Sequence, residues 1–575
     1  MNIRRRALSV VALAGMLAAA CSSGDRAPEA APPSSPHPTL RKGAIAPTPI
    51  KVVTRPADGW RESGCELPLE HLRRVRRGFA PGRSHDVVVV PREPNFFGGL
   101  TVTSHSGPWD YVQKVPLVLY GPGFVKPQGE LTLDREATVA DLAPTIAELI
   151  GTPFPDGRPG RAITEALVSA GQRPTPKAIV VVVWDGGGWN VLDTWPRSWP
   201  NLAAMMENGT SVTDAVVGSS PSVTPPIHAT IGTGAWPKQH GIVDMVFRSG
   251  PGQVTASYAD RAPAHLEVPT LADLYDRRTG NRAQIGMFAF KFFHLGMIGH
   301  GASVTGGDHD IAIIGTTTPG KLETNPAYYS LPSYLQEVGG FADDIRAVDQ
   351  TDGKVDGKWM GHDLGDWSIQ RHSPVWARYQ TRLVTTAMEQ EGFGRDRVTD
   401  LFFTNYKEID DVGHNWNMLN PEMKAMLQAS DEELAKLTEF LDRHVGKRQW
   451  VMAVTADHGQ GPDPFAIGAW PIRMQYLTSD LSEHFGVATE DLLLGKSGRG
   501  FWFDEDTLAT HGISLAEIAD WFVDYRLEEN IPQGEDIPPS YEKRLREPIF
   551  AAAWPGAEMG SVWRCARNRA REAGR

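Results

Sequence analysis

Cysteine is scarce in this chain of 575 residues. The three present, Cys21, Cys65 and Cys565, lie far from the other candidate metal ligands. That excludes a thiolate metal site and leaves carboxylate and imidazole as the ligands any metal would find. Surplus positive charge is missing as well. Lys and Arg number 57 against 69 Asp and Glu, a net charge of -12, so there is no electrostatic footprint for a nucleic-acid polymer. A small anionic substrate must then be held by a local cationic site such as bound metal ions. There is no internal repeat, and the apolar run from Ala7 to Ala20 is too short for a comfortable membrane span.

What is present begins with an export signal. Arg4-Arg5-Arg6 precedes that apolar run, so residues 1–20 read as a signal peptide. Leu17-Ala18-Ala19-Ala20-Cys21 resembles a bacterial lipobox, in which Cys21 is lipidated and becomes the new N-terminus; a secretory signal cut nearby is the alternative. Residues 21–58, rich in Pro, Ser and Ala, cannot bury a core and read as a flexible tether. The expectation is an exported bacterial lipoprotein of the cell envelope, periplasmic or surface-exposed, anchored to the membrane through its N-terminal lipid.

Downstream, composition is globular, with 41% hydrophobic and 22% charged residues. Apolar runs predict strands at Asp86 to Val90, Val115 to Tyr120, Ala178 to Trp184, Gln284 to Phe290, Val398 to Thr404 and Trp450 to Thr455. Helical spacing marks Ala137 to Gly151, Leu271 to Arg277, Val375 to Gln390, Pro421 to His444 and Ser514 to Tyr525. Strands alternating with helices predict an α/β fold. It is a doubly wound, mostly parallel sheet with helices on both faces and ligands at the carboxyl ends of its strands. Gly306 to Gly365 lacks clear periodicity, and a cap insertion over the active-site face is expected at about 246–395.

Asp185 follows the strand Ala178 to Trp184 and is itself followed by three glycines, which leave room for a ligand to approach the backbone. The spacing of Asp410 and His414 puts both side chains on one face of a helical turn. Asp457 and His458 project together from a strand terminus. Thr224 opens Thr-Pro-Pro-Ile-His, where two prolines suit a helix's first turn and a nucleophile would meet the positive end of the helix dipole. Taken singly, an Asp after a strand is often a helix cap, Asp-His-Gly a turn, and Thr224 an ordinary N-cap. Carboxylate-imidazole sets of this kind suit Zn or Mn, and in-line displacement at phosphorus is served by two such ions about 4 Å apart.

In their joint order, Asp185, Thr224, Asp410, His414, Asp457 and His458 resemble the alkaline phosphatase superfamily, in particular its type I phosphodiesterase/nucleotide pyrophosphatase branch. The resemblance covers most of residues 80 to 160 and 177 to 240, then 284 to 300 and 398 to 460. It implies hydrolysis of phosphoric esters through a phosphothreonine at Thr224. One metal would be held by Asp410, His414 and a further histidine, the other by Asp185, Asp457, His458 and the Thr224 oxygen. His228 and His240 read as structural.

The further histidine lies near the C-terminus in relatives. His511 keeps that order, but His105 is followed by a strand and the Asp141-Leu142-Ala143-Pro144-Thr145 helix, as in the family's last segment. His105 is chosen, and the chain then reads as circularly permuted. Residues 59–170 become the permuted segment and 171–575 the remainder of the catalytic domain. Permutation brings the new ends together, so Cys65 and Cys565 are expected to form a disulfide.

Many relatives carry an Asn where this chain has Asp244-Met245. Monoesterase cousins carry Lys-x-Arg where it has Lys291-Phe292-Phe293. Lys291 is a candidate phosphate contact or a solvated loop residue, and the missing arginine favours phosphodiesters or nucleotide pyrophosphates. A phosphomonoesterase is the alternative, and a non-catalytic envelope binding protein the remote one. A sulfatase, which needs Cys or Ser in a Cys/Ser-x-Pro-x-Arg context, is excluded.

Overall fold

The computed structural model describes residues 59–98, 103–316, 318, 320–532, 534 and 537–573. The signal segment, the lipidation candidate Cys21 and the 21–58 tether lie outside the described residues. Thirteen strands build the two larger sheets among them. They are β1 Val87–Pro91, β2 Leu117–Tyr120, β3 Gly129–Leu131, β4 Ala178–Trp184, β5 Thr210–Val212, β6 Ile285–Ala289, β7 Ile311–Gly315, β8 Leu322–Glu323, β9 Asp400–Tyr406, β10 Trp450–Thr455, β11 Leu493–Ser497, β12 Gly500–Phe503 and β13 Phe550–Pro555.

Nine strands form one sheet in the order β8-β7-β6-β9-β4-β10-β2-β5-β3. The five from β7 to β10 in that order are mutually parallel. On one side β2 joins antiparallel to β10, and on the other β8 joins antiparallel to β7. The central strand β4 explains the layering. Its Ile179, Val181 and Val183 enter one apolar core while Val180, Val182 and Trp184 enter the other. A strand covered on both faces has no solvent side to mark with polar residues, so it reads as an unbroken apolar run. Helices α1 Leu142–Leu149, α2 Thr224–Thr233 and α3 Leu271–Thr279 pack into the first core. Helices α4 Pro374–Gln390, α5 Glu408–Trp416 and α6 Pro421–Leu441 pack into the second.

The chain's ends build a second sheet, β11-β12-β1-β13, antiparallel throughout. It has its own core, in which Trp60, Leu72 and Val87 to Val90 meet Phe501, Phe522, Phe550, Trp554 and Val562. Cys65 and Cys565 are disulfide-bonded in this lobe with Cα atoms 5.4 Å apart.

One expectation about domain limits needs correction. The stretch 246–395 is not a separate cap, because it contributes β6, β7 and α4 to the main sheet and its covering layer. β7 lies inside the segment that lacked periodicity. Its Ile-Ala-Ile-Ile-Gly run is short, and only pairing in register with β6 makes it a strand. The described residues 59–573 belong to one compact unit, and its strands divide between two sheets. β1 joins β11, β12 and β13 in the second lobe, whereas β2 joins the main sheet.

Candidate active site

Asp185 follows β4, Asp410 and His414 lie on α5 just after β9, and Asp457 and His458 follow β10. All sit at the carboxyl edge of the parallel strands, where neighbouring connections leave a crevice. Gly186, at φ 71°, is required there: a Cβ on it would lie 2.5 Å from Gln460 Nε2 and 3.0 Å from Asp410 Cα.

In the first group, His105 Nε2 and His414 Nε2 lie 3.4 and 3.3 Å from Asp410 Oδ1. Their Nδ1 atoms face the carbonyls of Ser222 at 2.9 Å and Thr103 at 2.7 Å. A ring whose Nδ1–H donates to a carbonyl presents its Nε2 lone pair, here toward a carboxylate, so two lone pairs and an anion converge on one point. A divalent cation is what resolves that arrangement.

In the second group, His458 Nε2 lies 3.2 Å from Asp457 Oδ2 and 3.5 Å from Asp185 Oδ1. Both Asp457 Oδ2 and His458 Nε2 are fully buried without a hydrogen-bond partner. Orphaned polar atoms facing each other at this depth are costly unless a ligand joins them. Each group therefore fits a metal ion, and its oxygen and nitrogen donors suit Zn or Mn. The His105 and His458 rings stack with centroids 3.4 Å apart, which joins the two groups. Burial lowers His105 well below the usual histidine range, and the charge of His458 adds to it. Burial acts on His458 too, but Asp457, Asp410 and Asp185 outweigh it and push that ring up to about 9.

Thr224 is the first residue of α2, followed by two prolines that need no amide partner in a first turn. Its hydroxyl oxygen accepts from Lys407 Nζ at 3.1 Å. The same ammonium reaches Asp185 Oδ1 at 2.7 Å and Asp410 Oδ2 at 2.5 Å. Lys407 thus links the nucleophile candidate with a carboxylate from each group. Burial would neutralise it, but Asp185 and Asp410 hold it well above the ordinary lysine range. In return, and against burial, Lys407 and the His294 hydrogen bond keep Asp185 below the usual carboxylate range.

The family model for type I phosphodiesterase / nucleotide pyrophosphatase matches residues 179–475, more than half the chain. The chain belongs to that family. It is an enzyme of the phosphoric ester hydrolase class. The alkaline phosphatase PafA of Elizabethkingia meningoseptica is 21% identical over 456 residues, 70% of this chain and 81% of that protein. The alkaline phosphatase PhoV of Synechococcus elongatus is 20% identical over 339 residues, 49% of this chain and 59% of that protein. The crystal structure of wild-type PafA superposes with a TM-score of 0.50 at 18% identity, covering 66% of this chain and 84% of that one, a likeness of fold.

Within this family site, Asp185, Thr224, Asp410, His414, Asp457, His458 and His105 are all brought together. Lys291 lies at its margin, 3.4 Å from Asp411 Oδ1. His511 is exposed at the end of the helix Glu505–His511, where its Nδ1 lies 3.0 Å from the Thr507 carbonyl. His228 and His240 are buried and neutral. The Thr224 carbonyl lies 2.8 Å from His228 Nδ1, and burial lowers the two rings to about 4 and about 3.

Four residues escaped the sequence reading. Asn405 donates to Asp185 Oδ2 at 2.9 Å, His294 Nε2 lies 3.2 Å from the same oxygen, and Gln460 donates to Asp410 Oδ1 at 2.6 Å. Lys407 is the fourth. Asn405 and Lys407 sit directly ahead of the Asp410 motif, His294 three residues after Lys291, and Gln460 two after His458. Adjacency to a motif was thus their only signal.

Proposed function

We propose that this enzyme cleaves phosphodiesters or nucleotide pyrophosphates through a phosphothreonine at Thr224, with phosphomonoesters as poorer substrates. The observation that carries the reading is the convergence of the Thr224 hydroxyl, at a helix N-terminus, with two carboxylate-imidazole groups. Asp410, His414 and His105 would hold one divalent ion, and Asp185, Asp457, His458 and the Thr224 oxygen the other. Zinc is the preferred ion and manganese the alternative. Bound there, the ions supply positive charge against the attacking and leaving oxygens of an in-line displacement.

The chain's own residues do the rest. Thr224 Oγ1 gives its proton to solvent and attacks phosphorus, the bond to the leaving oxygen breaks with its electron pair and that oxygen takes a proton from water, and a second water later cleaves the phosphothreonine. Lys407 donates to Thr224 Oγ1 at 3.1 Å and favours its alkoxide form. The start of α2 turns its positive dipole end toward the phosphoryl group, although Pro225 and Pro226 carry no amide hydrogen to donate to it.

Substrate preference follows from what surrounds that point. A monoester dianion concentrates charge on its nonbridging oxygens, and losing a cation penalises it more than a diester. Phe293 stands where monoesterase cousins have arginine. Phe292 and Met245 remain partly exposed, apolar surface for a diester's second substituent, while Phe293 itself is buried. Lys291 accounts for residual monoesterase activity. Parallel kinetics on bis-p-nitrophenyl phosphate, a nucleotide pyrophosphate and p-nitrophenyl phosphate, with Zn and Mn supplied separately, test this reading. The expected result is a higher kcat/KM for the diester or pyrophosphate. A clear preference for the monoester would replace it with the phosphatase alternative.

A circularly permuted segment order belongs to the same proposal. The family match begins at residue 179, yet His105 precedes it and faces Asp410 and His414. The disulfide between Cys65 and Cys565 brings the two ends of the folded region together. We also infer an exported enzyme tethered through lipid at Cys21. No helix among the described residues is long and apolar enough to cross a membrane.

A further inference from the structure

A second group of carboxylates converges at the opposite edge of the main sheet. Asp276 lies in the last turn of α3, and Asp308 and Asp310 lie in the loop that leads into β7. One oxygen from each stands within 4.8 Å of the others. α3 runs into the amino end of β6, and β7 is parallel to β6. The trio is therefore at the amino ends of strands whose carboxyl ends carry the catalytic groups.

Asp276 is 2% exposed and Asp310 5%. Asn281, in the amide orientation that satisfies both its ends, donates to Asp276 Oδ2 at 3.2 Å. Asp276 Oδ1 is fully buried with no hydrogen-bond partner. Among the described residues, none of the three carboxylates is ion-paired with a lysine, arginine or histidine. The position aggravates the repulsion, because a carboxylate in a helix's last turn faces the negative end of the dipole. Burial, then the charge of Asp308 and a side-chain hydrogen bond with it, pushes Asp276 up to about 7. Burial with Asp276 and Asp308 raises Asp310 in the same direction. Buried like charges of this kind are stable only when a cation joins them or protons are taken up.

We propose that Asp276, Asp308 and Asp310 form a calcium site, structural and separate from the catalytic centre. Three hard oxygen donors with no nitrogen or sulfur among them select Ca2+ over Zn2+. The ion ties the 306–310 loop to α3 and so fixes the entry of β7 into the sheet.

The test uses the full enzyme with its catalytic metals in place, in buffer freed of alkaline earth ions, titrated with CaCl2 by calorimetry and followed by thermal unfolding. One Ca2+ per chain is expected to bind and to raise Tm. Asp310→Asn should weaken that binding by about tenfold or more and remove the Tm rise, with kcat/KM within about twofold of wild type. Asp308→Asn, at a partly exposed position, should show the same loss and serves if Asp310→Asn fails to fold. Absence of calcium binding in the wild type overturns the proposal, and so does calcium binding that survives both substitutions. Neither outcome bears on the Thr224 reading, which is tested by turnover.

Discussion

The main sheet and the second lobe are built from the same chain by opposite rules. In the main sheet five parallel strands are buried on both faces, and their carboxyl ends open a crevice that gathers Asp185, Lys407, Asp410, Asp457 and His458. In the second lobe the antiparallel strands β1, β11, β12 and β13 come from the two ends of the chain, and a disulfide joins those ends. The main sheet gathers buried Asp457 Oδ2 and His458 Nε2 without hydrogen-bond partners at its catalytic edge, where burial makes them costly unless a ligand arrives. The second lobe is chiefly apolar, and it reaches toward the site through Ser497, whose hydroxyl donates to Asp244 Oδ2 at 2.8 Å. Chemistry is therefore expected to depend on the first lobe and stability on the second.

Thr224→Ala is the sharpest way to break that division. It should lower kcat by several orders of magnitude, as removal of other covalent nucleophiles does, while metal content measured by plasma mass spectrometry stays near wild type. A variant that retained a tenth of wild-type activity would sink the nucleophile assignment. The next largest effect separates two histidines. His105→Ala should lose or weaken one metal and reduce turnover by about 10- to 100-fold or more, whereas His511→Ala, at an exposed helix end in the second lobe, should leave both properties unchanged. The reverse pattern would restore the ordinary segment order.

The smallest expected effect on catalysis, and the clearest on stability, is Cys565→Ser. Opening the 500-residue separation between Cys65 and Cys565 should cost up to about 6 kcal/mol in the chain-entropy model, read as a lower denaturation midpoint. At temperatures where the variant stays folded, kcat/KM should change by less than about twofold. A large loss of kcat with unchanged stability would erase the contrast between the lobes.

Much of the site was legible because its ligands follow local rules. Asp185 and Asp457 end apolar strands, Asp410 and His414 share one helical face, and Thr224 precedes two prolines. The strands β4 and β10 were legible residue for residue, since a short, almost wholly apolar run between turn residues has few other uses. Less was legible where pairing decides. β7 and β8 are short strands that only a neighbour's register creates. Lys407, Asn405, His294 and Gln460 carry no spacing of their own. A buried lysine has no signature until the carboxylates that keep it charged are placed around it.

The sequence by itself determined the order of the parallel strands' motifs, the residue types that chemistry at phosphorus needs, and the absence of thiolate ligands. Those follow from the period of apolar residues and from donor chemistry, both local in the chain. Only the tertiary structure decided that β1 leaves the main sheet for a lobe shared with the C-terminal strands, and that one ammonium bridges Asp185, Thr224 and Asp410. Apart from the local Lys407–Asp410 pair, these depend on contacts between residues more than 180 positions apart in the chain, and the free energy of such contacts comes from burial and charge compensation that no local pattern encodes.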